Sequence, residues 1–191
     1  YALKAAYDPR LLTIQPRGGG LSAVAVNERT LFWRAKISGK RMTLDGTVLA
    51  EFEFWRLLCD RFEAKEFPLP EDIVTPGLPK DELIVVQMLD RRAFHYFVED
   101  IELALPAPRL TVDVVGIDGG YAVKVTAQNF LKDLCLMADR LDPHAVVDTM
   151  LVTLLPGESH VFAVKTARTI EAGDITVGTV LRSANDLVVT H

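Results

Sequence analysis

Short apolar runs and apolar–polar alternation, broken by turn residues, organise this chain, and the stretch from Val146 to Thr166 shows both. The first arm, Val146 to Leu155, is rich in β-branched and large apolar residues and short for an amphipathic helix. It predicts a strand buried on at least one face. Pro156 fixes φ and Gly157 accepts a positive φ, so the chain can reverse there. On the return arm Phe162 and Val164 share one face, and Ser159 and Lys165 share the other, as in a half-solvated antiparallel strand. The stretch as a whole predicts a hairpin.

Similar strands fill the rest of the chain. Leu11–Gln15 leads through a Gly18-Gly19-Gly20 turn to Leu21–Asn27, and Phe32–Ser38, Arg41–Leu44, Thr47–Leu58 and Phe62–Phe67 follow. A Pro-rich loop, Pro68 to Pro79, precedes a hairpin of Glu82–Leu89 and Arg92–Glu99 around Asp90-Arg91. Arg92–Glu99 is apolar or aromatic on both faces, which predicts a strand lying deep inside something. Beyond it come Leu110–Val115, a turn at Asp118-Gly119-Gly120, Tyr121–Ala127, Leu131–Ala138, the Val146–Thr166 stretch, Thr176–Arg182 and Leu187–Thr190. In Tyr121–Ala127, Tyr121, Val123 and Val125 point in, and Ala122, Lys124 and Thr126 point out. Turn signals at this spacing favour a sandwich over a parallel sheet with crossover helices. Leu105-Pro106-Ala107-Pro108 reads as a stiff extended linker. It divides residues 1–105 from a second module of about seven strands, residues 106–191, of immunoglobulin-like size. The one helical segment is Tyr1–Tyr7, stopped by Asp8-Pro9. The fold class is therefore all-β: two immunoglobulin-like antiparallel sandwiches with a short helix remnant over residues 1–10.

Composition narrows the function classes. The 191 residues are 49% apolar and carry a formal charge of −5. Residues 1–105 hold 14 Lys/Arg against 16 Asp/Glu, and residues 106–191 hold 7 against 10. Neither half has the basic footprint that phosphate backbones require, so nucleic acid is not an expected partner. No apolar run approaches the ~20 residues of a membrane span. Cys59 and Cys135 lie far apart, one per module, and read as isolated thiols. With no Asn-x-Ser/Thr site, they favour a reducing, cytoplasmic location. The chain opens on Tyr1 rather than Met and reads as a fragment.

Direct signals for chemistry are sparse. His95, His144, His160 and His191 show no metal-ligand spacing and have no cysteine pair beside them, so no metal or cofactor site is assigned. A Gly-x-Ser-x-Gly elbow and a phosphate loop are both absent. Glycoside hydrolysis needs two positioned carboxyl groups. Asn27-Glu28 and Glu99-Asp100-Ile101-Glu102 are the nearest approaches, and both read as solvated strand ends; no residue is assigned a catalytic role. Aromatics concentrate in the first half, at Phe32, Trp33, Phe52, Phe54, Trp55, Phe94, Tyr96 and Phe97. They read either as core or as a surface, with Trp33, Trp55, Phe94 and Tyr96 available for an interface or for stacking on sugar rings.

Two motifs carry a resemblance. Leu151-Val-Thr-Leu-Leu-Pro-Gly-Glu158 with the following strand, and Leu181-Arg-Ser-Ala-Asn-Asp186, are similar to the C-terminal immunoglobulin-like domain of the β-mannosidases of glycoside hydrolase family 2. Tyr1-Ala-Leu-Lys-Ala-Ala-Tyr-Asp-Pro-Arg-Leu-Leu-Thr-Ile-Gln15 resembles the junction where the last barrel helix of those enzymes enters the next sandwich, and Asp118-Gly119-Gly120-Tyr121 fits the start of the last domain. The resemblance spans nearly the whole chain. It implies a non-catalytic C-terminal fragment of a retaining exo-β-mannosidase, whose partner is the upstream catalytic barrel of the same polypeptide. Asn27-Glu28 lacks the Trp-x-Gly-Asn-Glu-like context of the family's acid/base residue, so that role is not carried over. The alternative is a stand-alone carbohydrate-binding module. A first module shaped against a barrel should expose an apolar patch, expected to involve Tyr1, Leu3, Tyr7, Trp33 and part of Phe94–Phe97.

Overall fold

The structure, a computed structural model, describes residues 7–187 apart from the side chains of residues 55–57 and 172. The helix expected over Tyr1–Tyr7 falls outside the described residues except for Tyr7, which sits in a turn. The chain forms two compact units, one ending at Ala104 and the next beginning at Leu105. Every strand pair among the described residues is antiparallel.

The first unit is a three-on-four sandwich. β1 (Arg10–Arg17), β2 (Gly20–Asn27) and β5 (Glu63–Pro68) make one sheet, in the order β1-β2-β5. β3 (Trp33–Thr43), β4 (Val48–Cys59), β6 (Glu82–Met88) and β7 (Arg91–Tyr96) make the other, in the order β4-β3-β6-β7. Leu12, Ala23 and Ala25 of the first sheet meet Trp33, Ile37, Ile84, Val86 and Met88 of the second in one buried core. The two segments expected at Phe32–Ser38 and Arg41–Leu44 are one continuous strand, because Gly39 does not break it. Gly39 makes room instead: a Cβ there would lie 2.5 Å from the Phe52 ring and 2.9 Å from the Val85 carbonyl. Gly18 and Gly19, both with positive φ, form the two-residue β1–β2 loop, and Gly20 already belongs to β2. The β6–β7 loop is Leu89-Asp90, one residue earlier than the turn chemistry of Asp90-Arg91 suggests; Leu89 takes a φ of 55°.

A buried ion pair holds the Pro-rich loop. Glu82 is 2% exposed and accepts the Arg41 guanidinium together with the Gly77 and Leu78 amides, the amides at 3.0 and 2.6 Å. Arg41 Nε also donates to the Asp72 carbonyl, at 3.0 Å, in a short helix within that loop, α1 (Glu71–Val74). A carboxylate buried this deeply is tolerable because the guanidinium and two amides replace its water.

The second unit is another three-on-four sandwich. β8 (Leu110–Ile117), β9 (Gly120–Ala127), β11 (Val146–Val147) and β13 (Ser159–Lys165) order as β11-β13-β9-β8, and β10 (Leu131–Leu136), β12 (Val152–Leu154) and β14 (Leu181–Arg182) as β12-β10-β14. The expected alternation holds where it is best defined. Val123, Val125, Phe162 and Val164 are buried, while Lys124, Ser159 and Lys165 face solvent.

The hairpin expected over Val146–Thr166 does not form. β11 pairs with β13, but β12 lies in the opposite sheet on β10. Asp148 carries the ladder one step past β11, exchanging main-chain and side-chain hydrogen bonds with Ala163 at 3.1 and 2.9 Å. Leu151, at a φ of 60°, then turns the chain across the core. A continuous apolar run suits either sheet, so composition alone does not say where it divides. The strand expected over Thr176–Arg182 is also mostly absent, since α2 (Ala172–Ile175) and a turn precede β14. Leu187 ends a 3-10 turn, and the remainder of the strand expected at Leu187–Thr190 lies outside the described residues.

Two substitutions test these points by urea denaturation. Glu82→Ala should cost about 3 kcal/mol, because it strands a buried guanidinium and two amides. Gly120→Ala should cost about 3 kcal/mol, because its Cβ would sit 1.9 Å from the Val164 carbonyl. A loss below about 0.5 kcal/mol in either would contradict the packing described.

Candidate functional site

The first unit carries two features of interest at opposite ends of its sheets. Register places them. Trp33 pairs with Cys59, and Asn27 pairs with Arg10 and Glu63, at one end. Tyr96 pairs with Leu83, which pairs with Met42, at the other.

At the Tyr96 end, β7 runs out into a 3-10 turn over Asp100–Glu102. The segment Phe94–Asp100 with Glu102 lines an open hollow of about 550 Å³. β7 is the edge strand of its sheet, and Phe94 to Val98 are half-buried. The strand expected to lie deep inside something is thus, within this unit, an edge strand with a partly open outer side. The guanidinium of Arg92 lies over the Phe94 ring, at 5.7 Å, and the ring of Phe97 meets His95 edge-on, at 5.4 Å. Burial favours the neutral imidazole and lowers the pKa of His95. Aromatic faces beside exposed Glu99, Asp100 and Glu102 can stack on and hydrogen-bond a polyol.

The remaining sequence candidates scatter. Trp33 is 1% exposed, in the core, with Arg10 5.6 Å from its ring centroid, so it offers no surface for stacking or docking. The indole of a residue that opens β3 between two sheets is the largest filler available there, which is why it turns inward. The side chain of Trp55 lies outside those described. Glu28 is exposed at the Asn27 end, and Glu99 and Glu102 are exposed at the Tyr96 end. Opposite ends of a sandwich are too far apart for a pair of carboxylates acting on one bond, which calls for about 5–9 Å. Among the described residues no group of three His, Cys, Asp or Glu could hold a metal ion. No helix among them is long and apolar enough to cross a membrane. Both cysteines are free thiols; burial raises the pKa of Cys59.

The Asn27 end holds what sequence reasoning missed. Asn27 is fully buried, and its Nδ2 donates to the carbonyls of Leu31 and Asp60, both at 2.9 Å, and to Cys59 at 3.4 Å. Its Oδ1 accepts from Arg10 Nε and from the Arg29 amide, and Arg10 Nη2 reaches the Leu31 and Phe32 carbonyls. This network ties the β2–β3 and β4–β5 loops together. On those loops, and on the strand ends beside them, Leu31, Phe32, Leu58 and Phe62 are exposed by 43–70%, and Tyr7 by 83%. The apolar residues adjoining a buried tryptophan were the available signal, but alternation through Leu31-Phe32-Trp33 does not say which of the three turns inward.

No protein-family model matches this chain, and comparison with curated proteins gives no match. Solved structures do match. The chain is similar in fold to a β-D-mannosidase from Dictyoglomus thermophilum, with a TM-score of 0.73 and 19% identity over 96% of this chain and 22% of that one. It is also similar to the exo-chitosanase CsxA from Amycolatopsis orientalis, with a TM-score of 0.54 and 18% identity over 97% of this chain and 26% of that one. The chain thus spans about a quarter of the length of these neighbours. The all-β sandwich fold and the structural likeness to a β-mannosidase stand as the sequence motifs implied.

Two partly buried histidines predict an acid-sensitive step in stability. Burial lowers the pKa of His160 as well as that of His95, and the buried His160 Nε2 has no hydrogen-bond partner among the described residues. Unfolded histidine titrates near pH 6.5, so below that pH the unfolded chain binds more protons than the folded one. Stability should therefore fall as pH drops through about 6.5, and level off once pH is below the folded values. The urea midpoint should decrease between pH 7.5 and 5.5, and the H95F/H160F variant should lose most of that decrease. An unchanged decrease in the variant would assign the effect elsewhere.

Proposed function

We propose that this chain is the C-terminal, two-sandwich part of a retaining exo-β-mannosidase of glycoside hydrolase family 2. In this reading the chemistry belongs to a barrel elsewhere in the polypeptide, and these sandwiches support it. The observation that carries the reading is the fold match along 96% of the chain to a β-D-mannosidase of which it spans 22%. The quoted motifs near Leu151–Glu158 and Leu181–Asp186 lend it support in the same direction. Residues of this chain contribute rigidity, through two separate apolar cores and the polar networks that fasten their loops. In this reading they contribute no acid/base and nucleophile pair; Glu28 lies at the other end of the sandwich from Glu99 and Glu102.

A second reading has one observation in its favour. The hollow along Phe94–Glu102 combines half-buried aromatic rings with exposed carboxylates, the chemistry of a modest carbohydrate site. On that reading the chain binds sugar by itself.

The assay is release of chromophore from an aryl β-mannoside. The purified chain should give no turnover, because losing the positioned carboxylates removes many orders of magnitude in rate. The longer polypeptide encoded with it should hydrolyse the substrate. Turnover by the chain alone that disappears in Glu28→Gln, Glu99→Gln or Glu102→Gln would defeat the reading. Retardation of the chain in a mannan-containing gel, abolished by Tyr96→Ala, would favour the carbohydrate-binding module instead.

A further inference from the structure

The Asn27 end of the first sandwich exposes more large apolar surface than its surroundings explain. Leu31 and Phe32 on the β2–β3 loop, Leu58 at the end of β4 and Phe62 before β5 all face solvent, and Tyr7 lies at the same end. Single exposed apolar residues are ordinary, but several gathered at one end of a domain mark a contact surface. These side chains are not on floppy loops. The fully buried Asn27 carboxamide binds carbonyls on both loops, and Arg10 fastens Leu31 and Phe32 from the other side. The apolar tips are therefore held in place before any partner arrives, which cuts the ordering cost of binding.

The path of the chain identifies the occupant. The Glu28 amide donates to the Pro9 carbonyl at 2.8 Å, and Asp8 pairs with Arg91 at 3.0 Å, so the backbone enters the sandwich at this end. The six residues before Tyr7 span at most about 20 Å when fully extended. Any polypeptide preceding them is tethered within that distance of Tyr7, at a high effective concentration for this end of the sandwich.

We propose that the Asn27 end of the first sandwich is the docking face for the domain that precedes this chain in its parent polypeptide, with Leu31, Phe32, Leu58 and Phe62 as the contact residues. The inference rests on the functional reading above for the existence of that domain, and it adds where the domain sits. The partner surface it calls for is apolar and shaped around two fixed loop tips.

Hydrogen exchange measured on this chain alone and on the longer polypeptide tests it. Amides of residues 28–32 and 60–62 should exchange at least about tenfold more slowly in the longer polypeptide, and the F32S/F62S variant should lose that added protection. The variant leaves Asn27 and Arg10 in place, and its tips are solvent-exposed, so the isolated chain should fold as before by circular dichroism. Equal exchange in both proteins would overturn the proposal. So would protection that rises with the concentration of this chain alone, which would give the face to a second copy. Hydrolysis of the aryl β-mannoside is scored separately. Hydrolysis without added protection sinks the interface and leaves the functional reading standing. Protection without hydrolysis supports the interface and removes the proposed activity.

Discussion

A buried main-chain carbonyl must find a donor, and in this protein a few buried polar side chains supply the donors that turns cannot. Asn27 does so at one end of the first sandwich, where its carboxamide binds three carbonyls and accepts two donors. The second sandwich repeats the device. Asn129 accepts the Arg109 amide and donates to the Ala107 carbonyl, and Asn185 donates to the carbonyls of Pro106 and Phe130 while accepting the Lys132 amide. The stretch Pro106–Arg109, which contains two prolines and so lacks two amide donors of its own, is in this way stitched to the second sandwich. Glu82 plays the corresponding part for the Pro-rich loop. Strands close the sheets, but these side chains decide where the loops go, because an unsatisfied buried group costs more than a typical hydrogen bond contributes.

What was legible in the sequence follows from range. Alternation is a local property, so β9 and β13 and their buried faces could be read directly. Gly18-Gly19 announced its turn for the same reason. Asn27 could not be recognised as a hub, because its partners at Cys59 and Asp60 are more than thirty positions away. Nor does a run such as Val146–Leu155 reveal that it serves two sheets, since every residue in it is compatible with either. Trp33 reads from sequence either as core or as surface, and the facing sheet, with Ala23 and Ala25, shows why the indole turns inward. On the functional side, the structural likeness to a β-mannosidase was legible. The location of the apolar end was not, because it depends on which loop tips the hydrogen-bond network brings together.

The two sandwiches share an architecture while packing their cores differently. The first relies on a tryptophan, small alanines on the facing sheet and a glycine beneath Phe52. The second relies on leucines from β10 set against Val123, Val125 and Phe162. Each core cluster lies within its own unit.

The crossing between β11 and β12 has a consequence for how the second sandwich assembles. A hairpin zips from its turn outward and can exist, however briefly, without the rest of a domain. A segment that leaves one sheet at Val147 and joins the other at Val152 cannot do this. Its two ends gain their partners only when β13 and β10 are both in position. The route to the native state is then paced by long-range closure, which is slow, and intermediates with one finished sheet and one open edge are disfavoured. A single misplaced apolar run there would leave both sheets incomplete.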